Sequence, residues 1–390
     1  MKYWIITYGC QANISDSERI EKFLSLKGKP ACSRKQADLV VINSCSVRQS
    51  AVSRVYGQIQ LIRKESKAKV IVTGCLLEED RKKIDCFVTI EDLLKKPFLI
   101  EPLRKNSFSA LIPIMTGCNN FCTYCAVPYT KGREKSRKTS EIMKEVKQVV
   151  SQGFKEIWLL GQNVNSYQPS FSDLIKKVSL VPGNFWVRFT SSHPKDFSKE
   201  TIKLMKNSEK ITPYLNLPIQ SGSNETLKRM NRPYTVEEYK KCAFWARKEV
   251  PDLFLSTDII VGFPGETKKQ FQETVKVFKE VKFDMAYISR YSPRPGTKAY
   301  SLLDNVPFHE KRRREEFLNQ ILEKMNLKRN KKLVKKRMKI LVDKEKNNFV
   351  WGKTKEYLTV KVKSKPEIVG EFIEVEITGY SPWGLEGKIV

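Results

Sequence analysis

The chain has 390 residues, and its 72 Lys and Arg against 43 Asp and Glu give a formal net charge of +29. Hydrophobic residues at 40% and aromatic residues at 10% exclude a disordered chain. We find neither the ~18-residue apolar run of a membrane-spanning helix nor a secretory leader, so we expect a soluble, cytoplasmic protein without a membrane partner.

The charge and the nine cysteines are the compositional features that need an explanation. A positive surplus of this size attracts polyanions, and nucleic acid is the usual one, although a lysine-rich proteome would give the same composition. Nine unevenly spaced cysteines in a chain of this length indicate metal binding or chemistry rather than disulfide bonds.

Residues 1–103 are predicted to form an α/β domain with a parallel sheet. We expect strands at Tyr3–Tyr8, Leu39–Ile42 and Val70–Val72. One helix is expected to start at the capping-box sequence Ser15–Glu18 and another to run from Val47 to about Lys64.

A cysteine follows each of these three strands: Cys10, Cys45 and Cys75, which we call the N-terminal trio. In open parallel sheets, ligands bind outside the carboxyl ends of the strands. We therefore expect the three thiols to meet at one point.

Residues 104–326 continue the alternation of strand and helix and predict a partial (β/α)6 barrel. The six strands are expected at Ala110–Met115, Glu156–Leu160, Trp186–Phe189, Tyr214–Ile219, Leu255–Val261 and Met285–Arg290. Polar clusters follow four of them, at Gly161–Asn163, Ser191–His193, Gln220–Ser223 and Gly262–Glu266. Because active sites of such barrels lie at the carboxyl ends of the strands, these clusters predict a site there.

Cys118, Cys122 and Cys125, the barrel trio, form a CxxxCxxC motif after the first barrel strand. Three thiolates can hold three irons of a 4Fe-4S cluster and leave the fourth iron open for another ligand. Zinc is the alternative, but zinc sites usually add a second pair of ligands, and no fourth Cys or His lies near this motif.

Residues 327–390 are predicted to form a small antiparallel β-barrel of OB-like size, with alternating runs at Leu358–Val362 and Phe372–Ile377. Nine Lys and Arg and no acid lie between Lys324 and Lys339. Such a run is often a solvated helix face. Here it adjoins a module with four aromatic residues, Phe349, Trp351, Tyr357 and Trp383. This combination favours RNA binding, with Lys331, Lys332, Lys335 and Lys336 as candidate contacts.

The barrel trio, with Tyr124 before its last cysteine, resembles the signature of radical S-adenosylmethionine (SAM) enzymes. The N-terminal trio, the barrel and a TRAM-like terminal module are similar to the methylthiotransferases over essentially the whole chain. The resemblance implies two 4Fe-4S clusters, one on each trio and each with an open iron. It also implies two SAM molecules, one as methyl donor and one as the source of a 5′-deoxyadenosyl radical.

Within that family, the stretches Leu160–Tyr167, Arg188–Pro194 and Ser256–Thr267 resemble the MiaB-type tRNA-2-methylthio-N6-dimethylallyladenosine synthases. The implied substrate is isopentenyl-adenosine at position 37 of tRNA, beside the anticodon. Three alternatives stay open: an MtaB-type enzyme for threonylcarbamoyl-adenosine, which Trp351–Leu358 favours, a RimO-type enzyme for a ribosomal protein, and a non-catalytic metal-stabilised RNA-binding protein.

The resemblance also implies roles for single residues of the barrel. Gln162 and Glu266 are candidates for holding SAM, and His193 and Arg232 for facing the substrate. Asn216 departs from the pattern, because many relatives have His at that place. We further expect an unidentified low-potential electron donor and a monomeric protein.

The remaining cysteines, Cys32, Cys86 and Cys242, fit no ligand spacing and are interpreted as small buried hydrophobic residues. His309 lies in a charged helical stretch and is expected to be solvated.

Overall fold

The computed structural model describes residues 1–45, 49–364 and 366–390. The N-terminal unit is a parallel sheet, as predicted from the sequence, and its strand order is β2-β1-β3-β4. Its elements are β1 Lys2–Thr7, α1 Gln11–Ser25, β2 Lys29–Pro30, β3 Leu39–Ser44, α2 Gln49–Glu65, β4 Lys69–Gly74, α3 Glu78–Arg81 and α4 Ile90–Leu94. The two-residue edge strand β2 was not predicted, and the predicted helix start at Val47 lies outside the described residues.

The predicted start of the first helix at Ser15 is wrong, because α1 begins four residues earlier, at Gln11. The side chain of Asn13 accepts a hydrogen bond from the backbone N–H of Cys10 at 3.2 Å, which makes Cys10 the N-terminal cap. Ser15 and Glu18 are buried on the helix instead of capping it.

The central unit is a six-stranded partial barrel of parallel strands. Two three-stranded sheets, β5-β8-β9 and β10-β11-β12, are joined by a parallel bridge between Val187 and Ile211. The elements are β5 Ser109–Pro113, β6 Met115–Thr116, α5 Val127–Thr130, β7 Lys135–Ser136, α6 Thr139–Ser151, β8 Glu156–Leu160, α7 Phe171–Ser179, β9 Trp186–Phe189, α8 Lys199–Asn207, β10 Tyr214–Asn216, α9 Asn224–Arg229, α10 Val236–Glu249, β11 Phe254–Val261, α11 Lys268–Val281, β12 Met285–Arg290 and α12 Phe308–Lys331. The fourth strand is shorter than predicted, and Met115 leaves the first strand to pair with β7.

The terminal unit is a closed five-stranded barrel with the order β13-β14-β15-β17-β16. Its strands are β13 Arg337–Lys346, β14 Phe349–Thr354, β15 Thr359–Lys363, β16 Phe372–Ser381 and β17 Gly384–Ile389. The expectation of a fully antiparallel barrel is wrong at one place, because β15 and β17 are parallel. A closed ring with an odd number of strands cannot alternate in direction all the way round, so one parallel pair must remain.

Helix α12 runs through the predicted boundary between residues 326 and 327. The division into 1–103, 104–326 and 327–390 stays a prediction. Among the helices of the described residues, none combines the length and the apolar character needed to cross a membrane.

A fully buried guanidinium, that of Arg188 on β9, connects the central barrel to the terminal barrel. Its Nε donates to Glu156 Oε1 at 2.6 Å, and its terminal nitrogens donate to the carbonyl oxygens of Lys355 and Thr354, both at 2.8 Å. Glu156 also accepts from the Trp158 indole at 2.7 Å. The charge of Arg188 is therefore fully compensated, and the turn between β14 and β15 is fixed against the central barrel.

We predict that Arg188→Met lowers the free energy of unfolding by about 3–5 kcal/mol, because it leaves the buried Glu156 carboxylate without its cation. Urea unfolding followed by tryptophan fluorescence would measure this. Arg312→Met is the matched control, because Arg312 is exposed and pairs only with Glu316 on its own helix. Equal unfolding midpoints for the two variants would contradict the prediction.

Candidate functional site

The structure brings the cysteines of the N-terminal trio to the carboxyl edge of the sheet, because β1, β3 and β4 end within three residues of Cys10, Cys45 and Cys75. Gly9 and Gly74 allow the close approach. Both have positive φ, 127° and 92°. A Cβ at Gly9 would lie 2.9 Å from the Cβ of Cys45, and one at Gly74 would lie 2.6 Å from the carbonyl oxygen of Ser44.

A buried amide network connects the segments that carry these thiols. Asn13 Oδ1 accepts from the Cys10 thiol at 3.4 Å, and Asn13 Nδ2 donates to Asn43 Oδ1 at 3.0 Å and to the Ser44 carbonyl at 2.9 Å. The same carbonyl accepts from the backbone N–H of Cys75 at 3.0 Å. Each of the three segments is therefore held by hydrogen bonds to the others.

The thiol of Cys75 lies in an environment that disfavours its ionised form. Burial raises the pKa of Cys75 to about 11, and the nearby Cys45 and Cys10 thiols add to the increase, whereas Lys131 opposes it. Lys131 pairs with Asp16 at 2.9 Å, and the two side chains are only 12% and 14% exposed. A buried thiolate here needs added positive charge, which a bound metal cluster supplies.

The barrel trio lies on the loop after β6, and hydrogen bonds hold this loop against the barrel. Thr123 accepts from the N–H of Ala299 at 2.8 Å, and its own N–H donates to the carbonyl of Met230 at 3.1 Å. The N–H of Cys118 donates to the carbonyl of Gly132 at 3.1 Å. The Tyr124 ring packs edge-on against Phe263.

The electrostatics of the barrel trio parallel those of the N-terminal trio. Burial raises the pKa of Cys125 to about 12, and the Cys122 thiol adds to the increase. A guanidinium nitrogen of Arg232 lies 3.4 Å from the sulfur of Cys122, and its other nitrogens donate to Tyr234 Oη at 2.7 Å and to the Pro218 carbonyl at 2.8 Å. Arg232 therefore contacts the barrel trio directly, a place that the sequence did not indicate.

The trios are not arranged around a single metal ion, because in the described part of the chain no three Cys, His, Asp or Glu side chains are placed as ligands of one ion. A cubane cluster has its irons at separate corners, so each thiolate can bind its own iron. This arrangement gives the zinc alternative no geometrical support.

Among the described residues, 16 buried side-chain atoms have no protein partner, and seven of them lie close to the carboxyl ends of the barrel strands. They belong to three residues after β8, two after β9, one at the end of α9 and one after β11. These atoms are Gln162 Oε1, Asn163 Oδ1, Asn165 Oδ1, Ser192 Oγ, His193 Nε2, Arg229 Nε and Glu266 Oε1. Since buried polar groups are normally hydrogen-bonded, such a set at strand ends marks a site for a polar ligand.

Glu266 and Gln162 are the two members of this set that the sequence suggested for SAM. The Glu266 carboxylate is fixed on one side, where Oε2 accepts from the Gly262 N–H at 2.6 Å and from Arg314 at 2.7 Å. Its other oxygen has no protein partner. Gln162 is half-buried and its Oε1 is likewise unpartnered. Both residues therefore retain an oxygen that can accept from a ligand.

His193 is buried and neutral. Burial lowers the pKa of His193 to about 2, and the nearby positive charges of Arg232 and Lys195 contribute. Its Nδ1 accepts from the Lys195 N–H at 3.3 Å, so the ring proton is on Nε2, which has no protein partner. His193 can thus donate one hydrogen bond to a ligand.

Asn216, the departure from the family pattern, has a local role. Its Nδ2 lies 3.2 Å from Ser256 Oγ and 3.1 Å from Asp258 Oδ2. Burial raises the pKa of Asp258, and the hydrogen bond from Asn216 opposes this increase. Asn216 therefore stabilises a buried carboxylate.

Buried ion pairs join the units that carry the two trios. Arg19 on α1 pairs with Glu145 on α6 at 3.1 Å. Asp80 on α3 pairs with Arg294, which follows β12, at 2.7 Å. The Asp16–Lys131 pair next to Cys75 is the third. The relative position of the trios is fixed by these pairs.

The four predicted RNA-contacting lysines are exposed. Lys331 ends α12, Lys332 is its cap, and Lys335 and Lys336 lead into β13, so the run is not one helix face. The terminal barrel also carries an exposed ring, that of Trp383, and two partly exposed rings, Phe349 and Trp351, which lie at the far end of β13 opposite Lys346 and Lys344. Tyr357 is partly buried against the core, with its ring 5.3 Å from that of Trp158.

An open cleft of about 620 Å³ lies between the start of α2, the end of β12 and the start of α12. None of the predicted site residues lines it, and its Arg290 and Lys311 are paired with Glu315 and Asp304. The candidate site is therefore at the strand ends and not in this cleft.

Two family models match the chain. Residues 2–94 match the Uncharacterized protein family UPF0004, and residues 112–278 match the Radical SAM superfamily. Each match contains one complete cysteine trio.

Relatives match over the whole chain. A tRNA-2-methylthio-N6-dimethylallyladenosine synthase of Caldicellulosiruptor saccharolyticus is 39% identical over 100% of this chain and 92% of its own length. Those of Clostridium tetani and Dictyoglomus thermophilum are 37% and 36% identical over 100% of this chain and 96% and 98% of theirs. The chain belongs to this synthase family.

Solved structures share the fold of this synthase family member at low sequence identity. The radical S-adenosylmethionine methyltransferase TsrM from Kitasatospora setae, with cobalamin and a 4Fe-4S cluster bound, has a TM-score of 0.56 and 14% identity. The match covers 77% of each chain. It confirms the radical SAM fold.

Several residues of the synthase site could not be found from the sequence. Lys131 and Asp16 are 115 positions apart, and Glu145 is 126 positions from Arg19, so no local pattern connects them. The polar residues after β8 were visible as a cluster at a strand end. Their lack of protein partners became evident only in the structure.

We predict that His193→Gln reduces the loss of stability on acidification. In the folded protein the pKa of His193 is about 2, and in the unfolded chain it is about 6.5. Below pH 6.5 the unfolded chain therefore binds a proton that the folded protein does not, and stability falls as pH falls. Between pH 7 and pH 5 the original protein should lose about 2 kcal/mol more than the variant, measured by urea unfolding. Parallel pH profiles would refute this.

Proposed function

We propose that the chain is a tRNA methylthiotransferase that converts N6-dimethylallyladenosine (isopentenyl-adenosine) at position 37 into its 2-methylthio form. The C2–H bond of the adenine is replaced by a C2–S bond, and the sulfur carries a methyl group. The observation that carries the proposal is the match of the whole chain to synthases of this name. The two cysteine trios at strand ends provide the chemical support.

The residues present fit the cofactors of this reaction. The thiolates of the barrel trio would hold one 4Fe-4S cluster and those of the N-terminal trio a second, each with one iron free of protein ligands. When bound, the clusters and two SAM molecules supply the electron, the radical, the methyl group and the place at which the sulfur is handled. The protein holds these groups and excludes water.

Gln162 and Glu266 are proposed SAM contacts, because each has a buried oxygen with no protein partner. The unpartnered acceptors suit the amino and hydroxyl donors of such a ligand. His193 is proposed to face the substrate, where its Nε2–H can donate to an acceptor nitrogen of the base. Arg232 is proposed to stand between the barrel trio and the substrate, since it already contacts Cys122.

The anticodon stem-loop is the proposed RNA ligand, with residues 327–390 as the TRAM module, 104–326 as the radical SAM core and 1–103 as the domain of the second cluster. The exposed lysines around Lys331 and Lys336 and the partly exposed rings of Phe349 and Trp351 support RNA contact. We further propose that the protein is cytoplasmic and monomeric and takes electrons from a low-potential donor.

The dimethylallyl substrate is favoured over threonylcarbamoyl-adenosine and over a ribosomal protein, because the relatives are dimethylallyladenosine synthases. The stretch Trp351–Leu358 is a weak argument for the MtaB-type alternative. Its residues Thr354, Lys355 and Tyr357 contact Arg188 or Trp158 in the central barrel, so packing constrains them.

We predict that expression of the chain in cells without their own methylthiotransferases produces 2-methylthio-dimethylallyladenosine in tRNA, detected by nucleoside mass spectrometry. Alanine replacement of either trio should abolish the product and lower iron from about eight to about four per chain after anaerobic reconstitution.

The matched control replaces Cys32, Cys86 and Cys242 by alanine, which removes the same number of thiols and should retain the product. A 2-methylthio-threonylcarbamoyladenosine peak would move the substrate to the MtaB type. Cluster-loaded protein that yields no new nucleoside would refute the proposal and direct attention to ribosomal proteins.

A second prediction concerns Lys331, Lys332, Lys335 and Lys336. Their replacement by Gln should weaken tRNA binding and lower the slope of log affinity against log salt by up to about 3 units, because each phosphate contact releases counterions. Fluorescence titrations at several salt concentrations would measure it. The matched control neutralises four exposed lysines on outer helices, Lys144, Lys147, Lys176 and Lys177. Equal slopes for the two variants would mean that Lys331, Lys332, Lys335 and Lys336 form an ordinary solvated surface and do not contact phosphate.

A further inference from the structure

A surface of aromatic and basic side chains lies beside the barrel trio, and the function proposed above assigns it no role. It consists of Phe121, Tyr129, Arg133, Lys135 and Lys138, which we call the rim surface. The Arg133 guanidinium lies 4.4 Å from the centre of the Phe121 ring, and Tyr129 meets that ring edge-on at 5.9 Å. Two rings and a guanidinium plane are thus held together near the cluster thiols.

The segment that carries Tyr129 and Arg133 touches the surroundings of both trios. The Gly132 carbonyl accepts from the N–H of Cys118, and Glu134 Oε1 accepts from the N–H of Asn119. Lys131, between the two surface residues, reaches the other way and pairs with Asp16 near Cys75. The segment that carries Tyr129 and Arg133 therefore contacts residues next to both trios.

Packing does not explain these aromatic residues. Neither Phe121 nor Tyr129 belongs to a hydrophobic cluster of the described residues, and Tyr129 is 40% exposed. Phe121 also has a φ of 47°, which is unfavourable for a bulky residue. Asn231 holds this conformation by donating to the Phe121 carbonyl at 3.1 Å. A ring kept in such a position at the surface points to a ligand.

The cations of the rim surface are not neutralised by the protein. Within the described ranges, Arg133, Lys135 and Lys138 form no ion pair. The nearby carboxylate of Glu134 accepts a hydrogen bond through Oε1 from the backbone N–H of Asn119. By contrast, exposed Arg312 of α12 pairs with Glu316 at 2.8 Å. Exposed rings next to unpaired cations are the combination that binds single-stranded nucleic acid.

We propose that the rim surface binds the nucleotide next to the target adenosine, by stacking of its base on Tyr129 and Phe121 and contact of its phosphate with Arg133 and Lys135. This proposal rests on the proposed function. A base that enters the mouth of the barrel is linked to its neighbours through single phosphates, so these neighbours must lie at the edge of the mouth. Holding one of them there fixes the depth of the target base.

The test combines protein variants with altered RNA. Tyr129→Leu and Arg133→Gln are introduced into the cluster-loaded protein, while Phe121 is left intact because its loop carries the thiols. The ligands are anticodon stem-loop RNAs with dimethylallyladenosine at the target position and either a full set of bases or an abasic nucleotide on one side of the target. Dissociation constants are measured by fluorescence anisotropy at fixed salt.

Each single change should weaken binding at least about fivefold, the lower end of what the loss of one base–aromatic stack causes. Tyr129→Leu should not weaken the binding of the RNA that lacks the stacked base any further, because both changes remove the same contact. Phe244→Leu and Arg312→Gln are the matched controls, since both residues are exposed on outer helices. Unchanged iron content and melting temperature show that the variants are folded.

The proposal would be overturned if Tyr129→Leu left the affinity for RNA unchanged. It would also be overturned if the losses of affinity from Tyr129→Leu and from the abasic nucleotide were additive on both sides of the target. Unchanged RNA affinity together with slower reduction by a small acidic flavoprotein would overturn it in favour of a protein-docking surface. The proposed function can fail while this proposal stands. That is the outcome if the original protein gives no methylthio product but Tyr129→Leu and the abasic nucleotide still weaken binding non-additively.

Discussion

One carboxylate, that of Glu145, connects three segments that help to position the two thiol sites. It accepts from guanidinium groups of three segments: Arg19 of α1 at 3.1 Å, Arg104 of the connecting segment at 2.6 Å and Arg137 after β7 at 2.8 Å. Burial alone would raise the pKa of Glu145, but the three cations hold it below its usual range. Any change in the angle between the units would leave a buried charge uncompensated, so the two trios form one rigid site.

A compensated buried charge also fixes the terminal barrel against the central barrel. Its strands share a hydrophobic cluster with Trp158, Leu160 and Tyr214 of the central strands, and the charge of Arg188 inside this cluster is compensated by Glu156 and by backbone carbonyls. The terminal barrel therefore keeps a constant distance from the strand ends. A reaction that must bring one nucleoside to one cluster benefits from this rigidity.

The sequence predicted the parts of the fold that local patterns determine. Strands such as Glu156–Leu160 and Trp186–Phe189 are short, mostly apolar runs between turns, and the structure reproduces their limits. The start of α1 was missed because its cap is Cys10, and the side chain that accepts from Cys10, that of Asn13, is held by Asn43 of β3. The neutral state of His193 likewise depends on residues distant in sequence, such as Arg232. Tertiary contacts of this kind leave no local signal.

The arrangement of charges bears on the question that composition left open, whether a net charge of +29 reflects nucleic acid or a basic proteome. Buried Arg19, Arg188, Arg294 and Arg314 all pair with carboxylates, so these interior cations add nothing to the field outside the protein. The surface carries unpaired cations, among them the described lysines around Lys331 and Lys336 and those of the rim surface. A lysine-rich proteome would spread positive charge over every surface and would favour neither of these two places. Unpaired cations next to exposed rings, at the thiol site and on the terminal barrel, create a field that attracts an RNA strand.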